Sequence, residues 1–146
     1  MPSNKKVLIV EARFYSDIAD ELARGTIAVL QAAGIEYERV EVPGVFEVPA
    51  AVSFGINGGG YDGVIALGCV IRGETDHYDH ICREASRALM ELAVDRSASL
   101  GFGILTCENQ EQARVRAAVD KKDVGGRAAE ACLRMMELKQ QLQAGS

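Results

Sequence analysis

The amino-acid sequence predicts a three-layer α/β sandwich, with four parallel strands in one sheet and helices on both faces. Short continuous apolar runs, residues 7–10 and 64–67, read as strands buried on both sides rather than strands with one wet face. Between the runs, apolar residues recur every three to four positions, so strand and helix alternate, and that alternation implies a parallel sheet joined by right-handed crossovers. At 146 residues, nearly half of them apolar, the chain is long enough to close one core. No internal repeat, low-complexity segment or linker divides it, so residues 1–146 are expected to form a single domain.

The elements follow in order. After the first strand, Ser16 is the expected cap of a helix carrying Ile18, Leu22 and Val29 on one stripe, and Gly34 closes it. Residues 35–42 alternate in polarity, as an exposed or edge strand does, and Pro43 and Gly44 end that strand. Pro49 suits the first turn of a short helix running to about Ile56, and Gly58, Gly59 and Gly60 turn the chain into the third strand, residues 64–67. A polar turn follows, with Gly73, Thr75 as the expected N-cap, and His77, before a helix bearing Ile81, Ala85, Ala88, Leu89 and Leu92. Residues 101–106 form the fourth strand, and Asn109 or a neighbour caps a helix holding Arg114 and Arg116. A turn at 123–126 leads to a last helix with Ala129, Leu133 and Met136 on one stripe and Lys139 near its C-terminal end.

Composition excludes several functions. The net charge is −5 and basic residues are interspersed with acidic ones, so no cationic stripe tracks a nucleic acid or an anionic membrane. No eighteen consecutive residues are apolar, and the N-terminal apolar run is too short for a signal peptide and is followed by Glu11. A cytoplasmic protein is the expectation. Cys69, Cys82, Cys107 and Cys132 are widely spaced without a CxxC pair, so reduced, mostly buried thiols are expected. His77 and His80 lack the partners of a metal cage. No nucleophile elbow, Walker loop, HExxH or GxGxxG occurs.

In a parallel sheet the turns after the first three strands converge on one edge, where open α/β folds bind ligands. Those turns hold Phe14, then Phe46 and Glu47, then Gly73 through His77. Such an inventory suits one aromatic, hydroxylated substrate and one phosphorylated one. Each residue also has a plainer reading. Phe14 and Phe46 would serve as packing, Glu47 as a charge favouring a helix N-terminus, His77 as a hydrogen-bonded turn residue, and Arg116 as a solvated helix-face cation.

Lined up in order, the segments ARFY at 12–15, VPGVFEVP at 42–49, LGCVIRGETDHYDHICRE at 67–84 and FGILTCENQEQA at 102–113 resemble lumazine synthase, in its bacterial, α-proteobacterial-like form. The resemblance spans nearly the whole chain and implies a flavodoxin-like fold. It also implies condensation of 5-amino-6-(D-ribitylamino)uracil with L-3,4-dihydroxy-2-butanone 4-phosphate, releasing phosphate and two waters, without cofactor or metal. By resemblance, Phe14 stacks on the pyrimidine, and Val45, Phe46 and Glu47 line the ribityl and ring site. The backbone of Cys69, Val70 and Ile71 reads the pyrimidine edge. Gly73, Glu74, Thr75 and Arg116 hold the phosphate, and His77 carries protons. Phe102 and Arg116 come from the adjacent subunit of a pentamer, which exists alone, in pairs or in an icosahedral shell.

One departure from the family pattern stands out. Eight residues after the arginine the family usually places a lysine before glycine, whereas here Val124 precedes Gly125 and Gly126. A valine donates no side-chain hydrogen bond. The alternative left open is a catalytically weak flavin-binding or scaffold homologue of the same fold; retention of Phe14, Glu47, Thr75, His77 and Arg116 argues against it and Val124 for it.

Overall fold

A computed structural model describes residues 4–73 and 77–144. The strands are β1 (Lys6–Ala12), β2 (Glu36–Val42), β3 (Gly63–Ile71) and β4 (Leu100–Cys107). All pair in parallel, in the order β2-β1-β3-β4. The helices are α1 (Ser16–Ala32), α2 (Val48–Gly58), α3 (Tyr78–Asp95), α4 (Gln110–Ala117) and α5 (Val124–Ala144). A 3₁₀ turn, Val45–Glu47, precedes α2.

Alternation along the strands feeds two cores. Val7, Ile9, Ile65 and Leu67 pack beneath α1, α4 and α5, while Leu8, Val10, Val64 and Ala66 pack beneath α2 and α3. The steps from β1 to β2 and from β3 to β4 run in opposite directions over opposite faces, as one crossover hand requires. This is the three-layer, flavodoxin-like arrangement that the sequence predicts. β2 is an edge strand with mostly exposed side chains, as its alternating polarity anticipates.

Two helix ends match their local signals. Gly34, at φ +70°, follows α1 and donates to the Gln31 carbonyl at 3.1 Å, while Ile35 donates to Leu30 at 3.0 Å, which is a Schellman motif. Asn109 caps α4, its side chain accepting from the Gln112 N–H at 2.9 Å.

Five expectations are corrected. Ser16 is the first residue of α1, not its cap; Tyr15 occupies that position and makes no side-chain capping bond. β3 does not end at Leu67 but runs to Ile71, because its ladder with β4 continues to the Ile71–Cys107 pair and every residue in it is buried. The N-cap of α3 is His77 rather than Thr75, so that helix begins at Tyr78; Thr75 itself lies outside the described residues. The turn expected at 123–126 is already helical from Val124, with the Asp123 carboxylate accepting from the Gly126 N–H at 3.1 Å. Lys139 lies before the last turn of α5 and instead donates to the Ser97 carbonyl at 2.8 Å.

Candidate active site

Outside the carboxyl ends of β1, β2 and β3 lies a cavity of about 260 Å³. It opens where strand order diverges, β2 on one side of β1 and β3 on the other, the place at which open α/β sheets bind ligands. Phe14 and Tyr15 line it from the turn after β1, Gly44 and Val45 from the turn after β2, and Cys69, Val70 and Ile71 from the end of β3. A separate cavity of about 280 Å³ sits by Tyr61, Arg96 and Lys139 at the opposite ends of the strands, and among the described residues none of the site residues picked out in the sequence lines it.

The sequence builds the first cavity by specific devices. A Cβ at Gly68 would stand 2.8 Å from Val45 Cγ2, so the glycine lets the 3₁₀ turn settle directly on β3. The β1–β3 ladder ends at the Glu11–Leu67 pair, whereas the β3–β4 ladder continues to Ile71. The last turn of β3 therefore presents main chain toward the cavity on the flank that β1 no longer covers.

The aromatic rings are placed for contact rather than packing. Phe14 is 70% exposed and touches Tyr15 edge-on, with centroids 5.0 Å apart. Phe46, also exposed, stacks on His80 at 6.1 Å. Glu47 is exposed at the N-cap of α2, where its side chain makes no capping bond and has no partner among the described residues. Its plainer reading, a charge favouring the N-terminus of a short helix, fits this position, and the same carboxylate is open as an acceptor.

Gly73 follows β3 at φ +85°, a conformation that favours glycine. His77 is exposed at the head of α3, where its carbonyl accepts from the Ile81 N–H at 2.8 Å and its side chain does not cap the helix. Glu74 lies outside the described residues.

Phe102 and Arg116 do not line this chain's cavity. Phe102 stands opposite Ala66 on β4 and is 42% exposed. Arg116 donates to the Thr106 carbonyl at 3.2 Å and to Cys107 Sγ at 3.5 Å, which tethers it to the end of β4.

Several functional neighbours escape sequence reasoning. Ile81, read as a core residue of the helix, also lines the cavity. Arg13 belongs to the first turn but binds Glu11 at 2.8 Å and also donates to Asp20. Arg72 lies 4.3 Å from the Tyr78 ring and pairs with Glu108 at 2.9 Å and Asp79 at 3.4 Å, tying the head of α3 to the end of β4. Burial pushes the Tyr78 hydroxyl above its ordinary range. No spacing rule links these residues; the fold does.

The thiols are reduced and poorly suited to nucleophilic work. Burial raises Cys82 and Cys107 above the ordinary thiol value and pushes Cys132 up to about 12. No group of three or more potential metal-ligating side chains occurs among the described residues.

Comparison with known proteins places this geometry in a family. The model for 6,7-dimethyl-8-ribityllumazine synthase matches residues 4–140. The chain is 55% identical to 6,7-dimethyl-8-ribityllumazine synthase 1 of Rhizobium meliloti over 141 residues, covering 93% of this chain and 92% of that one. It is 51% identical to the corresponding synthase of Agrobacterium fabrum over 145 residues, covering 96% and 98% of the two chains.

Proposed function

The chain belongs to the 6,7-dimethyl-8-ribityllumazine synthase family, and on that premise we propose how its residues divide the work. It is a transferase that joins 5-amino-6-(D-ribitylamino)uracil to L-3,4-dihydroxy-2-butanone 4-phosphate, yielding 6,7-dimethyl-8-ribityllumazine, phosphate and two waters, the penultimate step of riboflavin biosynthesis. Residues 1–146 act as one domain.

Phe14 stacks on the uracil ring, Val45 and Phe46 line the ring and ribityl site, and Glu47 accepts hydrogen bonds from ribityl hydroxyls. The main chain of Cys69, Val70 and Ile71 pairs with the polar edge of the ring. Gly73, Glu74 and Thr75 hold the phosphate, and Arg116 supplies the guanidinium fork that suits a phosphate's oxygens. His77 moves protons.

The observation that carries this reading is the convergence of Phe14, Val45 and the unladdered end of β3 on one cavity. The chemistry asks for little more. Amine attack on the ketone gives a carbinolamine, loss of a first water gives an imine, phosphate is eliminated, and ring closure by the second amine releases the second water. Every step is a proton transfer or an addition and elimination, so an imidazole and alignment of two bound substrates supply what is needed, with no external redox partner and no cofactor.

Phe102 and Arg116 lie away from this chain's cavity, which supports their serving the site of a neighbouring copy. The working unit is a homo-oligomer, a pentamer or multiples of pentamers up to an icosahedral shell. Small-molecule substrates are its partners, not nucleic acid or membrane; no described helix is long and apolar enough to cross a bilayer. The cytoplasm suits four cysteines held as free thiols.

Lumazine formation from the two substrates, followed by absorbance and fluorescence, tests the assignment. Turnover in the assembled wild-type protein that collapses in both His77→Ala and Arg116→Ala supports it. A wild-type rate equal to the uncatalysed condensation would instead favour the scaffold homologue.

A further inference from the structure

Glu11 is a carboxylate only 3% exposed, on the α1 side of β1 beside the apolar Val7 and Ile9. Arg39 on β2 grips it with two bonds, Nε to Oε2 at 2.6 Å and Nη2 to Oε1 at 2.9 Å. Arg13 donates to the same Oε1 at 2.8 Å, donates also to Asp20 on α1, and lies 3.9 Å from Glu41. One buried charge thus ties together β2, the end of β1, the following turn and the first turns of α1.

Such a cluster is a poor way merely to hold a sheet together, because apolar side chains of similar volume stabilise a core as well or better. Its position is more telling than its strength. The segment it spans, residues 13–15, carries Phe14, whose exposed ring has Tyr15 edge-on as its neighbour. Little packing holds Phe14 in place, so the direction of its ring depends on the backbone of the turn, and Arg13 anchors that backbone.

We propose that Glu11 is a positioning residue for the pyrimidine substrate, acting through Arg13 to hold the turn that aims the Phe14 ring into the cavity. The inference rests on the assignment of Phe14 as the stacking ring. It separates the two substrates, because stacking is made to the pyrimidine alone and is present equally in the bound complex and the transition state. Losing such uniform binding raises KM and leaves kcat in place.

Steady-state parameters for both substrates, measured on Glu11→Gln, Phe14→Ala and their double variant, test it. Glu11→Gln is expected to raise KM for the ribitylaminouracil about tenfold, with kcat and KM for the butanone phosphate within about twofold of wild type. In the Phe14→Ala background it should add nothing further. Should Glu11→Gln fail to fold, Arg13→Gln keeps the Glu11–Arg39 pair and carries the same expectation. A Phe14→Ala variant with unchanged KM removes the stacking assignment and this inference with it. If Phe14→Ala does raise KM but the Glu11 or Arg13 effect multiplies on top of it, or falls equally on both substrates, stacking stands and the positioning role is overturned.

Discussion

The two faces of the sheet are finished differently. On the α1–α5 side the chain closes on itself: a Cβ at Gly125 would stand 2.1 Å from the Leu22 carbonyl oxygen, and the buried Thr26 hydroxyl donates to the Gly125 carbonyl at 2.8 Å. On the α2–α3 side, Phe54, Met90 and Val94 stand exposed on the helices and Phe102 on the sheet itself. Val115, Met135 and Leu142, the bare apolar residues of the first side, sit on α4 and the second half of α5 rather than on a strand. On the first face no described strand leaves a large apolar side chain exposed. The other ends in an edge strand whose aromatic side chain, in our reading, finishes a neighbour's site.

The sharpest way to break that contrast is to disturb the closed face. Gly125→Val forces two helices apart against backbone and should cost about 3 kcal/mol of stability in chemical denaturation, with turnover per folded molecule nearly unchanged. A loss below about 1 kcal/mol would mean the face is not sealed as described.

On the open face the opposite separation is expected. Phe102→Asp should leave subunit stability within about 0.5 kcal/mol of wild type, because the side chain is half in solvent already. Sedimentation should show weakened assembly, and activity should fall and stay below wild type even where high protein concentration restores assembly, because the completed site then lacks its aromatic side chain.

Val124 lies at the junction of the two descriptions. It opens α5 and packs partly buried against the α1-side core, at the position where the family resemblance implies a lysine. Val124→Lys should therefore cost about 1 kcal/mol of stability through lost apolar burial. It should also raise kcat/KM about threefold by restoring a donor. Equal kinetics for the two proteins would show that the lysine contact is dispensable here.

The smallest effect concerns pH. The Arg24 side chain, and then the Val119 N–H at 3.1 Å, hold the Glu21 carboxyl below the usual carboxylate range. A depressed folded-state pKa stabilises the fold above the unfolded value and is lost as pH falls through the folded one. Glu21→Gln should therefore flatten the acid limb of the stability profile slightly and leave neutral stability as its new plateau.

Much of this was legible in the sequence wherever the governing contacts are local. The edge character of β2 shows in its alternation, the end of α1 in Gly34, and the cap of α4 in Asn109. That the turns after the first three strands meet at one sheet edge followed from the parallel alternation alone and picked out Phe14, whereas Val45 and residues 69–71 came only from the family resemblance. The length of β3 did not, since its last residues are held by the ladder to β4 rather than by their own pattern. The cap of α3 was misread because a threonine before a helix is a good cap only where the chain enters the helix at that residue. The Glu11 cluster was invisible: Arg39 lies 28 residues away, and only pairing of β1 with β2 brings the two together.

The central claim, that a site is completed across two copies, is tested most directly by subunit mixing. His77→Ala and Arg116→Ala proteins, each inactive alone, are dissociated, combined in equal amounts and reassembled. If His77 comes from one copy and Arg116 from the next, random assembly leaves about one quarter of the sites with both residues intact, so about a quarter of wild-type lumazine formation should return. Activity that stays at the level of the separate variants in fully reassembled protein would place both residues in one subunit's site and contradict the account.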